Sequence, residues 1–130
     1  MTTHNLLTPA AQLRSTILFG HGSRDPLWRK PIEAVANHVQ TIAPEVLVRC
    51  AYLELTEPDL PTTVAELVAL GVTSIAVIPM FLGVGRHARE DLPLLVTDLI
   101  AAHPHVAFDL KPAIGEDAQM IELMARIALS

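Results

Sequence analysis

The 130-residue chain has little cysteine, few aromatic residues and no excess of positive charge. Its one cysteine, Cys50, cannot form an internal disulfide, and the apolar run at 46–51 favours a packed core thiol over a nucleophile. The net charge of −5 argues against a general nucleic-acid binder. No uninterrupted run of about 18 apolar residues occurs, because Pro79 and Gly83 break the most apolar segment, so we predict no membrane span.

The start of the chain shows neither a secretion pattern nor a structural one. The first fifteen residues lack a basic segment followed by a long apolar stretch, which predicts a cytoplasmic protein without a signal peptide. Residues 1–14 have no periodicity, and we predict a flexible N-terminal arm there. Residues 15–130 have the usual size of one domain, and the 51% hydrophobic composition of the chain can supply a sizeable core.

Short apolar runs alternate with segments of helical periodicity along the rest of the chain. Strands are predicted at 15–20, 46–53, 74–82 and 106–111, each followed by a helix. Because consecutive parallel strands need right-handed crossovers, four such units predict an α/β fold. The predicted architecture has three layers, αβα, around a four-stranded parallel sheet in the order 2-1-3-4. Pro79 is expected near the exit of strand 3, since proline cannot donate to the sheet.

Each predicted helix has a stripe of apolar residues at three- and four-residue spacing, which is expected to face the core. Asp59 is expected to cap the second helix, and 91–93 to begin the third. The stripe of the third helix consists of Leu95, Val96, Leu99 and Ile100. The stripe of the last helix consists of Met120, Leu123, Met124 and Ile127.

Two histidines follow predicted strands 1 and 3. His21 lies between two glycines at 20–22, and His87 ends the glycine-containing segment 83–87. The switch point of the predicted sheet falls between these two strands, which lie about 4.8 Å apart, so both imidazoles can reach one ligand. Two convergent histidines indicate a metal site or a proton-transfer site. A turn histidine that only bonds the backbone remains the alternative at each position.

Charged residues gather around the same loops. Five of the nine Lys and Arg residues lie in or beside them, which suggests a positive mouth for an anionic ligand: Arg24, Arg29, Lys30, Arg86 and Arg89. The alternative is that exposed loops simply collect charge, and Asp25, Glu90 and Asp91 partly cancel the excess. Glu54 and Glu57 follow strand 2 and are expected at the same edge of the sheet, where either could accept a proton. Both carboxylates could instead complement the start of the next helix.

Four motifs in order resemble the small CbiX-type sirohydrochlorin chelatases. They are Gly-His-Gly-Ser-Arg-Asp-Pro at 20–26, Leu-Glu-Leu-Thr-Glu-Pro at 53–58, Pro-Met-Phe-Leu at 79–82 and Gly-Arg-His-Ala-Arg-Glu-Asp-Leu-Pro at 85–93. The resemblance runs from about Thr16 to the end of the chain and implies a chelatase-like domain. It implies insertion of a divalent metal, commonly cobalt and in relatives nickel or iron, into sirohydrochlorin, by a homodimer.

The resemblance also implies roles for individual residues. His21 and His87 would bind the metal, and His21 would also accept a proton. Glu57 and the loop from Leu82 to His87 would contact the macrocycle; the loop residues are Leu82, Gly83, Val84, Gly85, Arg86 and His87. The divalent metal is then a substrate, and no tightly bound cofactor is expected. With two protein ligands, the ion should keep exchangeable positions for its transfer.

Two other classes share part of this pattern. A non-catalytic carrier of a metal or tetrapyrrole would have the same pocket and would need no proton acceptor. A histidine phosphatase also has a strand followed by His and Gly, but its nucleophilic histidine normally follows an arginine, and Gly20 stands in that place here. Turnover with sirohydrochlorin separates an enzyme from a carrier, and hydrolysis of a phosphate ester would identify a phosphatase.

Overall fold

Four parallel strands form the centre of the computed structural model, which describes residues 13–130. They are β1 (Leu13–Gly20), β2 (Leu47–Tyr52), β3 (Val72–Pro79) and β4 (Ala107–Leu110). Their order in the sheet is β2-β1-β3-β4, and all three neighbouring pairs are parallel. The predicted order 2-1-3-4 is therefore confirmed. Pro79 is the last residue of β3, as its missing N–H requires.

Helices follow each strand. They are α1 (Lys30–Ile42), α2 (Leu60–Ala69), α3 (Arg86–Ala102) and α4 (Ala118–Leu129), and a short 3-10 helix, Ile114–Glu116, precedes α4. The predicted arm at 1–14 lies outside the described residues except for Leu13 and Arg14, which begin β1 two residues earlier than predicted. No helix within the described part of the chain has the length and apolar character that crossing a membrane requires.

The two faces of the sheet carry separate apolar cores. Alternate residues of β1 and β3, such as Ile17 and Val77, pack with α2 and α3 in the larger cluster. The opposite face packs against α1 in a smaller cluster built on Leu18, Val48 and Ile32. The alternation follows from the period of two along a strand, and it yields the predicted three layers.

Helix α2 begins where predicted, because Asp59 caps it. The Asp59 carboxylate accepts a hydrogen bond of 2.9 Å from the backbone N–H of Thr62. Pro61 lies in the first turn, where its missing N–H leaves no unsatisfied donor. These two features fix the direction in which the chain leaves the carboxyl edge of β2.

The start of α3 differs from the prediction. The helix begins at Arg86, five residues before Asp91, and Pro93 lies inside it. Ala88 and Leu92 are both buried against the larger core, and this burial outweighs the helix-starting signal of the proline. The predicted stripe of α3 was wrong at Ile100, which is 48% exposed.

The predicted burial of α4 was also wrong. The helix forms and Asp117 caps it, but none of its residues is buried. Leu123 and Ile127 are 44% and 63% exposed. The apolar stripe is real, but the described part of a single chain covers it only in part, since Met120 and Met124 are half-buried.

Candidate functional site

His21 lies directly after β1, in a loop held to the loop that follows β2. The N–H of Leu53 donates to the Gly20 carbonyl at 2.9 Å, and the N–H of Glu54 donates to the His21 carbonyl at 3.1 Å. Gly22 has φ +107°, and a Cβ there would overlap the carbonyl oxygen of Glu54. Only glycine permits this close approach without strain. The backbone of His21 is therefore fixed to the end of β2.

The His21 ring also has an aromatic neighbour. Its centroid lies 6.4 Å from that of Phe81, and the two rings meet edge to face at 63°. Phe81 is buried and makes a similar contact with Phe19, at 6.1 Å. One edge of the imidazole is thus supported by the core while the rest of the side chain is exposed.

His87 lies in the first turn of α3, not in a loop as predicted. The N–H of Met80 bonds the Phe19 carbonyl at 2.8 Å just past the end of β3, and buried Phe81 follows. The chain then continues to Gly85, which is the N-cap of α3. Because α3 starts at Arg86, its first turn holds the exposed His87 side chain at the carboxyl edge of the sheet.

Both histidines line one cleft with a volume of about 810 Å³. Sites for small molecules and cofactors typically have volumes of about 300–1,000 Å³. Most of the predicted site residues are brought together there; His21, Leu82, Gly83, Gly85, Arg86 and His87 all line the cleft. The convergence follows from the strand order, since β1 and β3 are neighbours.

Two of the residues predicted to contact the macrocycle do not line the cleft. Glu57 is exposed and does not line the cleft, and its role stays a prediction. Val84 is half-buried and lines a neighbouring apolar cavity of about 250 Å³ between α3 and the segment that follows β4. Phe81 borders both spaces, so it forms part of the wall between them.

The cleft contains two carboxylates, Glu54 and Asp91. The sequence analysis considered Glu54 as a proton acceptor, whereas it considered Asp91 as the start of a helix and as a charge that partly cancels the nearby cations. Asp91 follows His87 by four residues on α3, which puts both on the same face of the helix. That spacing could have identified Asp91 only if the true start of α3 had been known.

The charge around the cleft is less positive than the sequence suggests. Of the five cations near the histidine loops, only Arg86 lines the cleft, and its Nε lies 3.1 Å from Glu90. Arg29 pairs with Glu33 at 3.3 Å on α1, and Arg89 lines the apolar cavity. The lining of the cleft thus contains one guanidinium and two carboxylates, and it has no excess of positive charge.

Among the described residues, neither a compact group of three metal ligands nor a reactive thiol includes the histidines. Within residues 13–130, no three His, Cys, Asp or Glu side chains form a group suited to hold a metal ion. Cys50 lies on β2, half-buried under α1, with its Sγ 4.0 Å from the Ile32 carbonyl. Burial, reinforced by the charge of Glu33, raises the pKa of the Cys50 thiol, which disfavours a thiolate.

The described fold and cleft define a class: parallel α/β domains that present two histidines at the carboxyl edge of neighbouring strands. Residues 15–128 match the model of the CbiX family. The chain therefore belongs to the CbiX family. A crystal structure of the CbiX protein of Marinobacter aquaeolei VT8 superimposes with a TM-score of 0.76 at 34% identity, covering 89% of this chain and 93% of that one.

Other relatives carry names that describe an activity. The sirohydrochlorin cobaltochelatase of Methanopyrus kandleri is 34% identical over 82 residues, which are 63% of this chain and 57% of that protein. The sirohydrochlorin chelatase SirB of Bacillus subtilis subspecies spizizenii, solved with cobalt, has a TM-score of 0.71 and 26% identity. The match covers 88% of this chain but 50% of SirB, so a chain with the fold of this one accounts for half of SirB.

Proposed function

We propose that this protein is a chelatase that inserts a divalent metal ion into sirohydrochlorin. Cobalt is the first candidate, with nickel and iron as the others. The observation that carries the proposal is the convergence of His21 and His87 on one cleft in a member of the CbiX family. Relatives named as sirohydrochlorin cobaltochelatases support the substrate and the metal.

The reaction exchanges one metal ion for two protons. Sirohydrochlorin loses the protons of two pyrrole N–H groups as the divalent ion binds the four ring nitrogens, so the products are the metallated ring and two protons. The chain must hold the ion loosely, present it to one face of the ring and accept protons. Neutral imidazole is a suitable ligand for cobalt, nickel and iron.

Individual residues take these tasks in the proposal. His21 and His87 hold the metal, and His21 also accepts a proton. The segment from Leu82 to His87 contacts the macrocycle, and Glu57 approaches it from the β2 side. Glu54 and Asp91 line the cleft beside the histidines, where they can receive protons and pass them to water.

Sirohydrochlorin carries several carboxylates, which favour binding to cationic side chains. The cleft of one chain offers a single such side chain. Arg86 is the lining guanidinium, and its planar fork suits bidentate pairing with a carboxylate. We propose that the working form is a homodimer and that further substrate contacts come from outside the cleft of one chain. A cytoplasmic location, and the absence of nucleic-acid and membrane partners, stay predictions.

The first test measures metal insertion directly. Purified protein is incubated without oxygen with sirohydrochlorin and Co²⁺, Ni²⁺ or Fe²⁺ in turn, and the absorbance change is followed. The His21→Ala and His87→Ala variants should both lose assisted insertion, because each removes one of two metal ligands. His38→Ala is the matched control, since His38 is exposed on α1 and does not line the cleft.

The same experiment separates the alternatives. The far-UV spectra of the two cleft variants should match that of the parent, because both histidines are exposed. If both variants insert metal as fast as the parent above the non-enzymatic rate, the shared site is wrong. Binding of the metal or of sirohydrochlorin without turnover by the parent protein would identify a carrier.

A further inference from the structure

An apolar cavity adjoins the cleft on the other side of Phe81. It has a volume of about 250 Å³ and lies between α3 and the segment that follows β4; we call it the side cavity. Most of its lining is apolar, including Phe81, Val84, Leu92, Leu110 and Pro112. Sites that take a whole small molecule typically have volumes of about 300–1,000 Å³, so the side cavity suits one arm of a larger ligand.

The start of α3 borders both spaces. His87 and Asp91 line the cleft, whereas Arg89 and Pro93 line the side cavity, and the members of each pair are four residues apart. Because residues at this spacing lie one above the other on a helix, each pair forms a short stripe along α3. The two stripes flank Ala88, which is buried and borders both spaces. A ligand that lies across the start of α3 can therefore contact both stripes.

The two spaces differ in the sign of their charge. The cleft lining contains two carboxylates and one guanidinium. The lining of the side cavity contains two cations, Arg89 and Lys111, and one carboxylate, Glu116. Within residues 13–130, the Lys111 Nζ lies 2.7 Å from Asp109, whereas Arg89 forms no ion pair. The cleft therefore favours a cation, and the side cavity favours an anion that the Arg89 guanidinium can bind.

The wall of the side cavity opposite α3 is bonded to the end of β3. The N–H of Lys111 donates to the Val77 carbonyl at 2.9 Å, and the N–H of Gly115 donates to the Phe81 carbonyl at 3.0 Å. A Cβ on Gly115 would overlap the carbonyl oxygen of Leu82, so the two backbones are in direct contact there. Because this wall is bonded to the strand that leads into the cleft, the side cavity keeps its place beside the cleft.

We propose that the side cavity is a second substrate subsite, which takes one carboxylate arm of the macrocycle while the ring nitrogens face His21 and His87 in the cleft. This inference rests on the proposed function and deepens it, because it identifies where part of the negative charge of the substrate is bound. The Arg89 guanidinium pairs with the carboxylate, and the apolar wall packs on the methylene groups of the arm. The subsite thus selects tetrapyrroles that carry a carboxylate at this edge of the ring.

Equilibrium binding of metal-free sirohydrochlorin, measured without oxygen and without added metal, tests the subsite. Arg89→Gln should raise the Kd by about tenfold or more, because a charge-assisted contact is lost. Arg89→Lys keeps the charge but not the planar fork, and its Kd should lie between those of the parent and Arg89→Gln. Arg126→Gln is the matched control and should not change the Kd, since Arg126 is exposed on α4 and lines neither space.

Added salt separates a direct contact from a structural effect of Arg89. The Kd of the parent should rise more steeply with salt than that of Arg89→Gln, because the variant has lost one attraction that salt screens. A merely structural role of Arg89 would leave this slope unchanged. Binding of Co²⁺ alone, followed by its visible absorption, should be the same in both proteins, since Arg89 does not line the cleft.

Filling the side cavity is an independent test. Val84 is half-buried and lines it, so Val84→Phe should occupy part of its volume and raise the Kd for sirohydrochlorin. Val84→Ala leaves the space open and should raise the Kd less than Val84→Phe. Far-UV circular dichroism and binding of Co²⁺ alone check that both variants are folded and that the histidines still converge.

Three results would overturn the subsite. They are an unchanged Kd for Arg89→Gln, a raised Kd with the salt dependence of the parent, and a Val84→Phe variant that binds sirohydrochlorin as tightly as Val84→Ala. A parent protein that binds sirohydrochlorin without metallating it would contradict the proposed chelatase, and the same Kd values would still decide the subsite. A parent protein that does not bind sirohydrochlorin would overturn both.

Discussion

At the scale of single residues, the glycine beside His21 fixes the histidine in place. Gly22→Ala would combine a φ of +107° with overlap of the Glu54 carbonyl. We expect it to lower the free energy of unfolding by about 1–3 kcal/mol or more, as is typical for a residue forced into a rare conformation. Urea unfolding measures the change.

The control for that substitution lies in the same cleft. A Cβ on Gly83 has no atom within 4 Å, so Gly83→Ala should change the free energy of unfolding by less than about 0.5 kcal/mol. If Gly22→Ala is as stable as Gly83→Ala, the backbone of His21 is not held as described.

The two glutamates after β2 should have separable effects. Glu54 lines the cleft and Glu57 does not, so Glu54→Gln should lower turnover by about tenfold or more, as expected for loss of a proton acceptor. Glu57→Gln should mainly raise the KM for sirohydrochlorin. Steady-state kinetics of both variants measures the effects on turnover and on KM separately. Glu45→Gln is the control, because Glu45 is exposed in the turn after α1.

The opposite result would also be informative. A turnover defect confined to Glu57→Gln, with normal kinetics for Glu54→Gln, would mean that the loop after β2 rearranges when substrate binds. The positive φ of 69° at Leu55, between the two glutamates, is an uncommon conformation for a branched residue.

At the scale of elements, the sequence predicts which face of a helix is apolar but not what covers it. The stripe of α4 was identified correctly, and its burial was wrong, because burial depends on a surface that periodicity does not encode. The start of α3 was missed for a related reason. Asp91 and Pro93 form a good local starting signal, but burial of Ala88 with the larger core extends the helix back to Arg86.

The cap of α2 should make stability depend on pH in a defined direction. Hydrogen bonds from Thr62 hold the pKa of the Asp59 carboxyl below its usual range. A carboxyl whose pKa is lower in the folded state stabilises that state above its unfolded pKa of about 4, and this contribution is lost as the pH falls through the folded pKa. Asp59→Ala should therefore cost about 1 kcal/mol near pH 7.

Unfolding at two pH values checks this prediction. The difference between the parent and Asp59→Ala should shrink below pH of about 4, where the carboxyl of the unfolded chain is protonated. Asp59→Asn is the matched control, because asparagine also caps helices but does not titrate. If the difference in free energy of unfolding between the parent and Asp59→Ala is the same at pH 7 and below pH of about 4, the cap is not charged.

At the scale of the whole molecule, the strand order and the meeting of the histidines could be predicted from the sequence. Right-handed crossovers between buried strands limit the possible orders, and the doubly wound order predicted here makes β1 and β3 neighbours. Once they are neighbours, His21 and His87 must share an edge. The place of Asp91 in the cleft and the exposure of α4 could not be predicted, because they depend on where α3 begins and where α4 points.

The proposed homodimer predicts that thermal stability depends on protein concentration. Anything that binds the folded chain shifts its unfolding, and a second copy is such a ligand. The Tm of the parent should rise over a hundredfold increase in protein concentration, because the proposed dimer is favoured at the higher concentration. Differential scanning calorimetry or a circular-dichroism melt measures the shift. A parent Tm that does not change with concentration would contradict a dimer that forms in this range.

The two sides of the cleft differ in how firmly the backbone is bound. The His21 carbonyl is bonded to Glu54, whereas in the described chain residues 82–84 make no hydrogen bond before α3 begins. The backbone that leads to His87 is therefore less constrained than that beside His21, and in the proposed metal site the distance between the two imidazoles would adjust mainly on the His87 side. Such a site would accept ions of different radius, so discrimination among metals would fall to supply in the cell and to the ring that receives the ion.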